Sequence, residues 1–317
     1  MTKNLYDVLV VGAGPVGLYA SYLAKEKGLN VKIIEATNEI GGQPLLLFPN
    51  KQVHDYPSYS QVLSFDLIDK LRSANKALDV KVDKNEELLE FTKENDLFRC
   101  KTSKSEFSAK SIILALGNGF FTPNKLEIIG ADNINITYKV SSNYHDYDNK
   151  DVVILGGGDS AVDFANDLKT KSSANVTIIH RRDVFRANGE NVKKLEKNNV
   201  HIILNANLEK IKDNNLYFEN KKDNSKQKVH FDTIIVQYGQ KINTQLPSCY
   251  KNVKHNEFGK FIVDRYQQTN IENVYAVGNC CFYPNRGNLI VIGHGEAAVA
   301  VLDILRKLKK YEEHKIA

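Results

Sequence analysis

Two apolar strands in this chain each close on a glycine-rich turn. The first reads Val8-Leu9-Val10-Val11-Gly12-Ala13-Gly14-Pro15-Val16-Gly17. The second reads Val152-Val153-Ile154-Leu155-Gly156-Gly157-Gly158-Asp159-Ser160-Ala161. A strand–glycine turn–helix unit presents backbone N–H groups and the positive end of a helix to a pyrophosphate. Glycine is required there because a Cβ would hold the backbone away from the phosphates. Two such units suggest two dinucleotides on one chain, with electrons passing between them.

At 317 residues the chain has room for two domains, each with its own core. The N-terminal residues Met1 to Tyr6 lack the pattern of a signal peptide, and no apolar run approaches the ~20 residues of a membrane span. The expected location is the cytoplasm, with no membrane partner. A net charge of +5 is too modest to argue for nucleic acid and suits steering toward an acidic protein. The runs at Lys193-Lys194 and Arg306 to Lys310 read as solvated helix faces. Cys100, Cys249, Cys280 and Cys281 form no C-x-x-C motif and read as reduced thiols. Cys280 stands out only for its place beside a proposed flavin site.

Strands are expected at 5–11, 30–35, 111–117, 151–155, 176–179 and 274–279. Helices are expected at 16–27, 64–77, 160–169 and 294–309. Residues 80–110 and 201–236 alternate as antiparallel segments would, and 118–123 and 239–244 look like crossovers and candidate hinges. Glu35 ends the second strand, close to the ~20-residue spacing at which an acid reaches the ribose hydroxyls. With no arginine cluster nearby, that site suits the ADP half of FAD. After the second turn the corresponding strand ends in His180-Arg181-Arg182, with Arg186 following. Guanidinium groups match a 2′-phosphate in shape and charge, so this site reads as selective for NADPH. Gly278-Asn279, at a late strand end, is placed to hold the ribitol, and Gln43, after Gly41-Gly42, to reach the flavin. Phe48 and Phe121 are loop aromatics that serve either stacking or ordinary packing. His294, at the expected start of the last helix, is either a functional group or a capping or packing one.

These motifs resemble the low-molecular-weight thioredoxin-reductase-like family of two-domain flavoproteins. Thr137 to Ser142 lacks the C-x-x-C that thioredoxin reductases carry before the second glycine strand. The chain is therefore more similar to the ferredoxin/flavodoxin–NADP reductase branch. Leu47-Phe48-Pro49, Leu116 to Pro123, Ile179 to Ala187, and Asn288-Leu289-Ile290 leading to Gly293-His294-Gly295-Glu296-Ala297 carry that likeness.

The resemblance implies an α/β protein of two Rossmann-like three-layer domains. FAD lies in a split domain, 1–117 with 243–317, and NADPH in an inserted one, 118–242. It implies Gly12, Gly14, Pro15, Gly17, Glu35, Gly42, Gln43, Phe48, Phe121, Gly278 and Asn279 at FAD. It implies Gly156, Gly158, Asp159, Ser160, Arg181, Arg182 and Arg186 at NADPH. No catalytic side chain is expected, because the isoalloxazine carries the chemistry. The resemblance also implies a ferredoxin- or flavodoxin-like acidic carrier that takes the electrons, and a homodimer. The chain departs from the family pattern in having Asn279 for the usual Asp, Phe48 for the usual Tyr, and a short tail after the last helix. Two alternatives stand beside this reading. One is an NADPH-dependent disulfide or quinone reductase, and the other a non-catalytic flavin-binding protein.

Overall fold

The computed structural model of the chain describes residues 5–47, 51–119, 121–132, 135–138, 140–141, 143–242 and 247–308. The chain divides into two compact units, Met1–Phe120 with Ile242–Ala317, and Phe121–Lys241.

In the first unit, β1 (Leu5–Val11) runs into α1 (Pro15–Glu26) and then β2 (Val31–Glu35). Pro15 occupies the first helical position, where its missing N–H costs no hydrogen bond. Gly28, with φ of 81°, lets the chain turn out of the helix toward β2. There follow α2 (Gln43–Leu47), α3 (Ser64–Ala77), β3 (Val82–Lys84), β4 (Leu88–Glu94), β5 (Leu97–Thr102) and β6 (Glu106–Leu114). The sheet order is β3-β2-β1-β6-β5-β4. The first four strands are parallel, and β6-β5-β4 form the antiparallel meander expected from the alternation.

Strand alternation distributes β1 between two cores. Val8 and Val10 pack with Leu18, Ala20 and Ala24 of α1 and Ile68 of α3. Leu9 and Val11 pack on the opposite face with Phe98, Phe107, Tyr250 and Phe261. Leu18 is fully buried, which contributes roughly 1.5–3 kcal/mol. A polar link crosses the helical layer: Ser21 Oγ donates to Asn75 Oδ1 at 2.8 Å, and Asn75 Nδ2 donates to the Leu18 carbonyl at 2.8 Å.

The second unit holds β7 (Ile136–Thr137), β8 (Asp151–Leu155), α4 (Asp159–Lys171), β9 (Asn175–Ile179), α5 (Gly189–Lys197) and β10 (His201–Ile203). Then come β11 (Ala206–Lys212), β12 (Asn215–Asn220), β13 (Lys226–His230) and β14 (Thr233–Val236). A five-stranded parallel sheet runs β7-β14-β8-β9-β10. On one face Val152 and Ile154 pack against Val162, Phe164 and Leu168 of α4 and Leu195 of α5. On the other, Val153 and Leu155 meet Leu216 and Phe218 of the antiparallel β11-β12-β13 layer. Each unit is thus a three-layer α/β structure.

The chain then returns to the first unit with β15 (Phe261–Ile262), β16 (Val274–Ala276), β17 (Cys281–Phe282) and α6 (Ile290–Lys307). β16 pairs in parallel with the end of β6. α6 buries Ala297, Ala300, Val301 and Ile304 beside α1. It begins a turn earlier than its sequence suggests. Gly293 and Gly295 disguise that first turn, and Leu289, with extended backbone, precedes it. His294 consequently lies inside the helix and not at its start.

Candidate nucleotide-binding sites

The glycines of the first turn do not share one role. A Cβ on Gly12 would lie 2.6 Å from the Ala115 carbonyl oxygen, and Gly12 has φ of 101°. A Cβ on Gly17 would lie 1.9 Å from the Gly12 carbonyl oxygen. Both allow the turn to pack against its own helix and the neighbouring strand. Gly14, the residue before Pro15, meets nothing closer than Gly42 Cα at 3.9 Å. Gly42, with φ of 61°, brings a second glycine turn against it, and the Gly41 N–H donates to the Ala13 carbonyl at 2.8 Å. The first turn of α1 therefore starts beside two closely facing glycines, a bare-backbone arrangement of the kind that receives a pyrophosphate.

Glu35 reaches this turn. Its Oε2 accepts from the Ala13 N–H at 2.8 Å, and Oε1 accepts from the Thr37 N–H and hydroxyl, each at 2.9 Å. The carboxylate shapes the loop; Oε1 is filled by its two Thr37 bonds, and Oε2 retains a lone pair for a ribose hydroxyl. Gln43 opens α2, and its Oε1 accepts from Asn118 Nδ2 at 3.4 Å beside Gly117. Phe48 and the side chain of Phe121 lie outside the described residues, as do the late residues Tyr311 and His314.

At the end of β16 the Gly278 N–H donates to Glu296 Oε2 at 2.7 Å. Glu296 is clasped by Arg286, with Nε to Oε1 at 2.8 Å and Nη2 to Oε2 at 3.1 Å. Both side chains are almost wholly buried. Arg286 Nη1 also donates to Asn279 Oδ1 at 3.2 Å, so the uncharged Asn279 already has a cationic donor. The Tyr283 hydroxyl donates to Glu296 Oε1 at 2.9 Å; burial, with Glu296 adding, pushes its pKa up to about 12. Sequence reading missed Arg286 and Glu296 as partners. Nothing in an Arg and a Glu ten positions apart marks them as a pair, although Glu296 stood in a quoted motif.

His294 packs and clamps. Its Nε2 lies 3.2 Å from the Pro15 carbonyl, which only accepts, so that nitrogen carries the proton. Nδ1 then accepts from the Tyr56 hydroxyl at 3.0 Å, and Tyr19 stacks on the ring with centroids 4.6 Å apart. Burial lowers the imidazole pKa and favours this neutral form.

The four thiols are free. Cys280 is buried and donates to the Leu114 and Val277 carbonyls at 3.2 Å; burial raises its pKa to about 11. Burial also pushes Cys281 up strongly. Neither offers a thiolate, so the redox reading of Cys280 finds no support.

The second turn follows the same division. A Cβ on Gly156 would meet the Gln237 carbonyl oxygen at 2.6 Å, and one on Gly157 would strike the His180 ring at 2.3 Å. Gly158, the residue preceding α4, has nothing within 4 Å, so a ligand can approach that backbone. Asp159 Oδ1 accepts from the Asn188 N–H at 2.8 Å, which ties the arginine-bearing loop to the helix start. Ser160 is half-buried in the same helical turn. The Arg186 N–H donates to the Gly157 carbonyl at 2.7 Å. Arg181, Arg182 and Arg186 are exposed, and none has a carboxylate partner among the described residues.

His180 is buried, stacked on Phe185 with centroids 5.6 Å apart. Burial, then the charges of Arg182, Arg186 and Arg181, lowers its pKa. Three arginines without carboxylate partners among the described residues thus follow the strand end beside an open glycine turn, where an NAD site would place an acid.

The family model described as pyridine nucleotide-disulphide oxidoreductase matches residues 6–297. Among curated proteins, a ferredoxin–NADP reductase of Malacoplasma penetrans is 37% identical over 97% of this chain and 98% of its own. One from Streptococcus agalactiae is 36% identical over 95% of this chain and 93% of its own. Among solved structures, a T. acidophilum thioredoxin reductase aligns with TM-score 0.71 at 22% identity, covering 97% of this chain and all of that one. A bacillithiol disulfide reductase of Staphylococcus aureus gives 0.68 at 23% identity, covering 96% and 99%. These structural likenesses concern the fold.

Proposed function

The chain belongs to the pyridine nucleotide-disulphide oxidoreductase family, and from that premise we propose that it is a ferredoxin–NADP reductase. It is an FAD-dependent enzyme that takes electrons from NADPH and delivers them to a small ferredoxin- or flavodoxin-like carrier. The first unit is its FAD domain and the second its NADPH domain. FAD, when bound, supplies the redox chemistry that links a two-electron hydride donor to one-electron acceptors.

The protein's own residues bind and orient. Gly14 and Gly42 leave room for the FAD pyrophosphate at the first turn of α1, and Glu35 accepts an adenosine ribose hydroxyl. Gly278 and Asn279 hold the ribitol, supported by the Arg286–Glu296 pair. Gln43 lies toward the flavin ring. Gly158 and Ser160 receive the NADPH pyrophosphate, and Arg181, Arg182 and Arg186 receive its 2′-phosphate.

The observation that carries this reading is the trio of exposed arginines, without carboxylate partners among the described residues, that flank His180 beside the Gly156–Gly158 turn. They supply what a 2′-phosphate needs and what plain NAD would not use. The buried, protonated thiols favour this reading over a disulfide reductase. A homodimer and a cytoplasmic location complete the reading by family resemblance; sedimentation and cell fractionation test them. The central test is the visible spectrum of purified protein before and after anaerobic NADPH. Yellow protein that bleaches with NADPH is expected. Protein that takes up no FAD on reconstitution, or FAD that NADPH leaves coloured, would end the proposal.

A further inference from the structure

The return segment of the first unit carries a surface that the nucleotide sites do not use. β15 and β17 run in parallel register, with Phe261 opposite Cys281 and Ile262 opposite Phe282. Alternation buries the first pair completely and turns the second outward, where Ile262 is 43% and Phe282 39% exposed. Just before β15 the chain doubles back. The Ile262 N–H donates to the Lys254 carbonyl at 2.9 Å, and the Asn256 N–H donates to the Lys260 carbonyl at 2.9 Å. Lys254 therefore sits beside Ile262, and Lys260 lies two residues along on the same face.

Phe258, at the hairpin tip next to Glu257, is 72% exposed. Neither Lys254 nor Lys260 has a carboxylate partner among the described residues. The Asp264 carboxylate is drawn away into the next turn, accepting from the Tyr266 and Gln268 N–H groups at 2.8 and 2.9 Å. Isolated exposed apolar residues need no explanation; here two adjacent ones lie beside two lysines that lack carboxylate partners among the described residues, with Glu257 at the hairpin tip and Asp264 held in its own turn.

Its place in the chain narrows the partner. Phe282 follows Asn279 by three residues, a stretch that spans at most about 11 Å. The face thus adjoins the strand end that holds the ribitol in the reading above. We infer that it docks a small acidic electron carrier, whose apolar spot seats on Ile262 and Phe282 and whose carboxylates meet Lys254 and Lys260. The inference rests on the reductase reading and names where the acceptor of that reaction binds. Each NADPH reduces two carrier molecules by one electron apiece, yielding NADP⁺ and one proton. The lysines act mainly on encounter rate and salt dependence, and the apolar pair on residence.

The test uses the full-length, FAD-loaded protein in two assays. Ferricyanide reduction by NADPH needs no docking; cytochrome c reduction through an acidic [2Fe–2S] ferredoxin does. In a Lys254→Glu, Lys260→Glu variant the KM for ferredoxin should rise at least tenfold at low salt and lose its salt dependence. Ferricyanide reduction should stay within about twofold. Ile262→Ser with Phe282→Ser should raise the same KM and leave the sedimentation coefficient unchanged. An unaltered ferredoxin KM in both variants overturns the inference. So does wild-type protein that reduces ferricyanide but not ferredoxin. A wild-type dimer that dissociates in the Ile262→Ser, Phe282→Ser variant gives the face to a second copy of this chain, and also overturns it. Wild-type protein inert toward ferricyanide and unbleached by NADPH removes the reductase reading itself, a separate result.

Discussion

The glycines of the first turn divide by what a methyl group would strike. Gly17→Ala drives a Cβ into the Gly12 carbonyl, a backbone atom that cannot yield, so this variant is expected to lose cooperative thermal unfolding. Gly14→Ala meets no atom closer than 3.9 Å, and its φ of −72° suits alanine, so the apoprotein should melt as wild type does. Its FAD dissociation constant should nonetheless rise at least tenfold, because the methyl occupies the pyrophosphate's space. Equal FAD affinity in Gly14→Ala would contradict the cradle. At the other turn, Arg181→Ala with Arg182→Ala should raise the KM for NADPH by ten- to a hundredfold and leave kcat/KM for NADH within about twofold. Equal losses for both coenzymes would remove the 2′-phosphate assignment. His180 and His294 add a pH signature. Burial lowers both imidazoles in the folded state, so the unfolded chain binds more protons once pH falls below its ordinary value of about 6.5. Their contribution is present above that pH and is lost as acidification approaches the folded pKa values. The melting temperature should therefore drop less between pH 7.5 and 5.5 in His294→Gln than in wild type. Matching slopes would refute it.

Among the elements, α6 shows how a helix end becomes part of a site. Its Glu296 takes the Gly278 amide and the Arg286 guanidinium together, tying helix, strand end and loop into one buried knot. Removing one charge from such a pair strands the other, at about 3–5 kcal/mol. Glu296→Gln is expected to lose that much in urea unfolding. The double variant with Arg286→Gln should cost less than the two singles combined. Additive losses would show that the pair is not coupled. The strands were the most legible elements, because β1, β2, β8 and β9 are short runs rich in Val and Ile, buried on both faces toward their ends and closing on glycine or charge. α5 left little trace in the sequence, since only Leu195 is buried among polar neighbours. α2 spans just five residues behind two glycines and offers no period to read.

For the molecule as a whole, the second unit is one uninterrupted segment with its own two cores. Phe121–Pro123 pairs with Gln240–Ile242, so the segment leaves and returns at neighbouring points. A fragment of residues 121–241 should therefore fold alone, unfold cooperatively and be retained on immobilised NADP⁺. A fragment without a cooperative transition would show that its cores depend on the rest of the chain. Sequence by itself settled what is local: two glycine turns on apolar strands, an acid after one and arginines after the other. Those signals lie within a few dozen residues, and backbone sterics, helix-end charge and strand burial act over that distance. Tertiary structure alone decided which glycines pack and which stand open, and that Glu35 braces the loop it serves. It also decided that Tyr56 finds His294 across 238 positions, and that Ile262 and Phe282 emerge side by side between lysines. Side-chain partnerships of that kind depend on where the folded backbone sets two distant residues, and no local pattern encodes it.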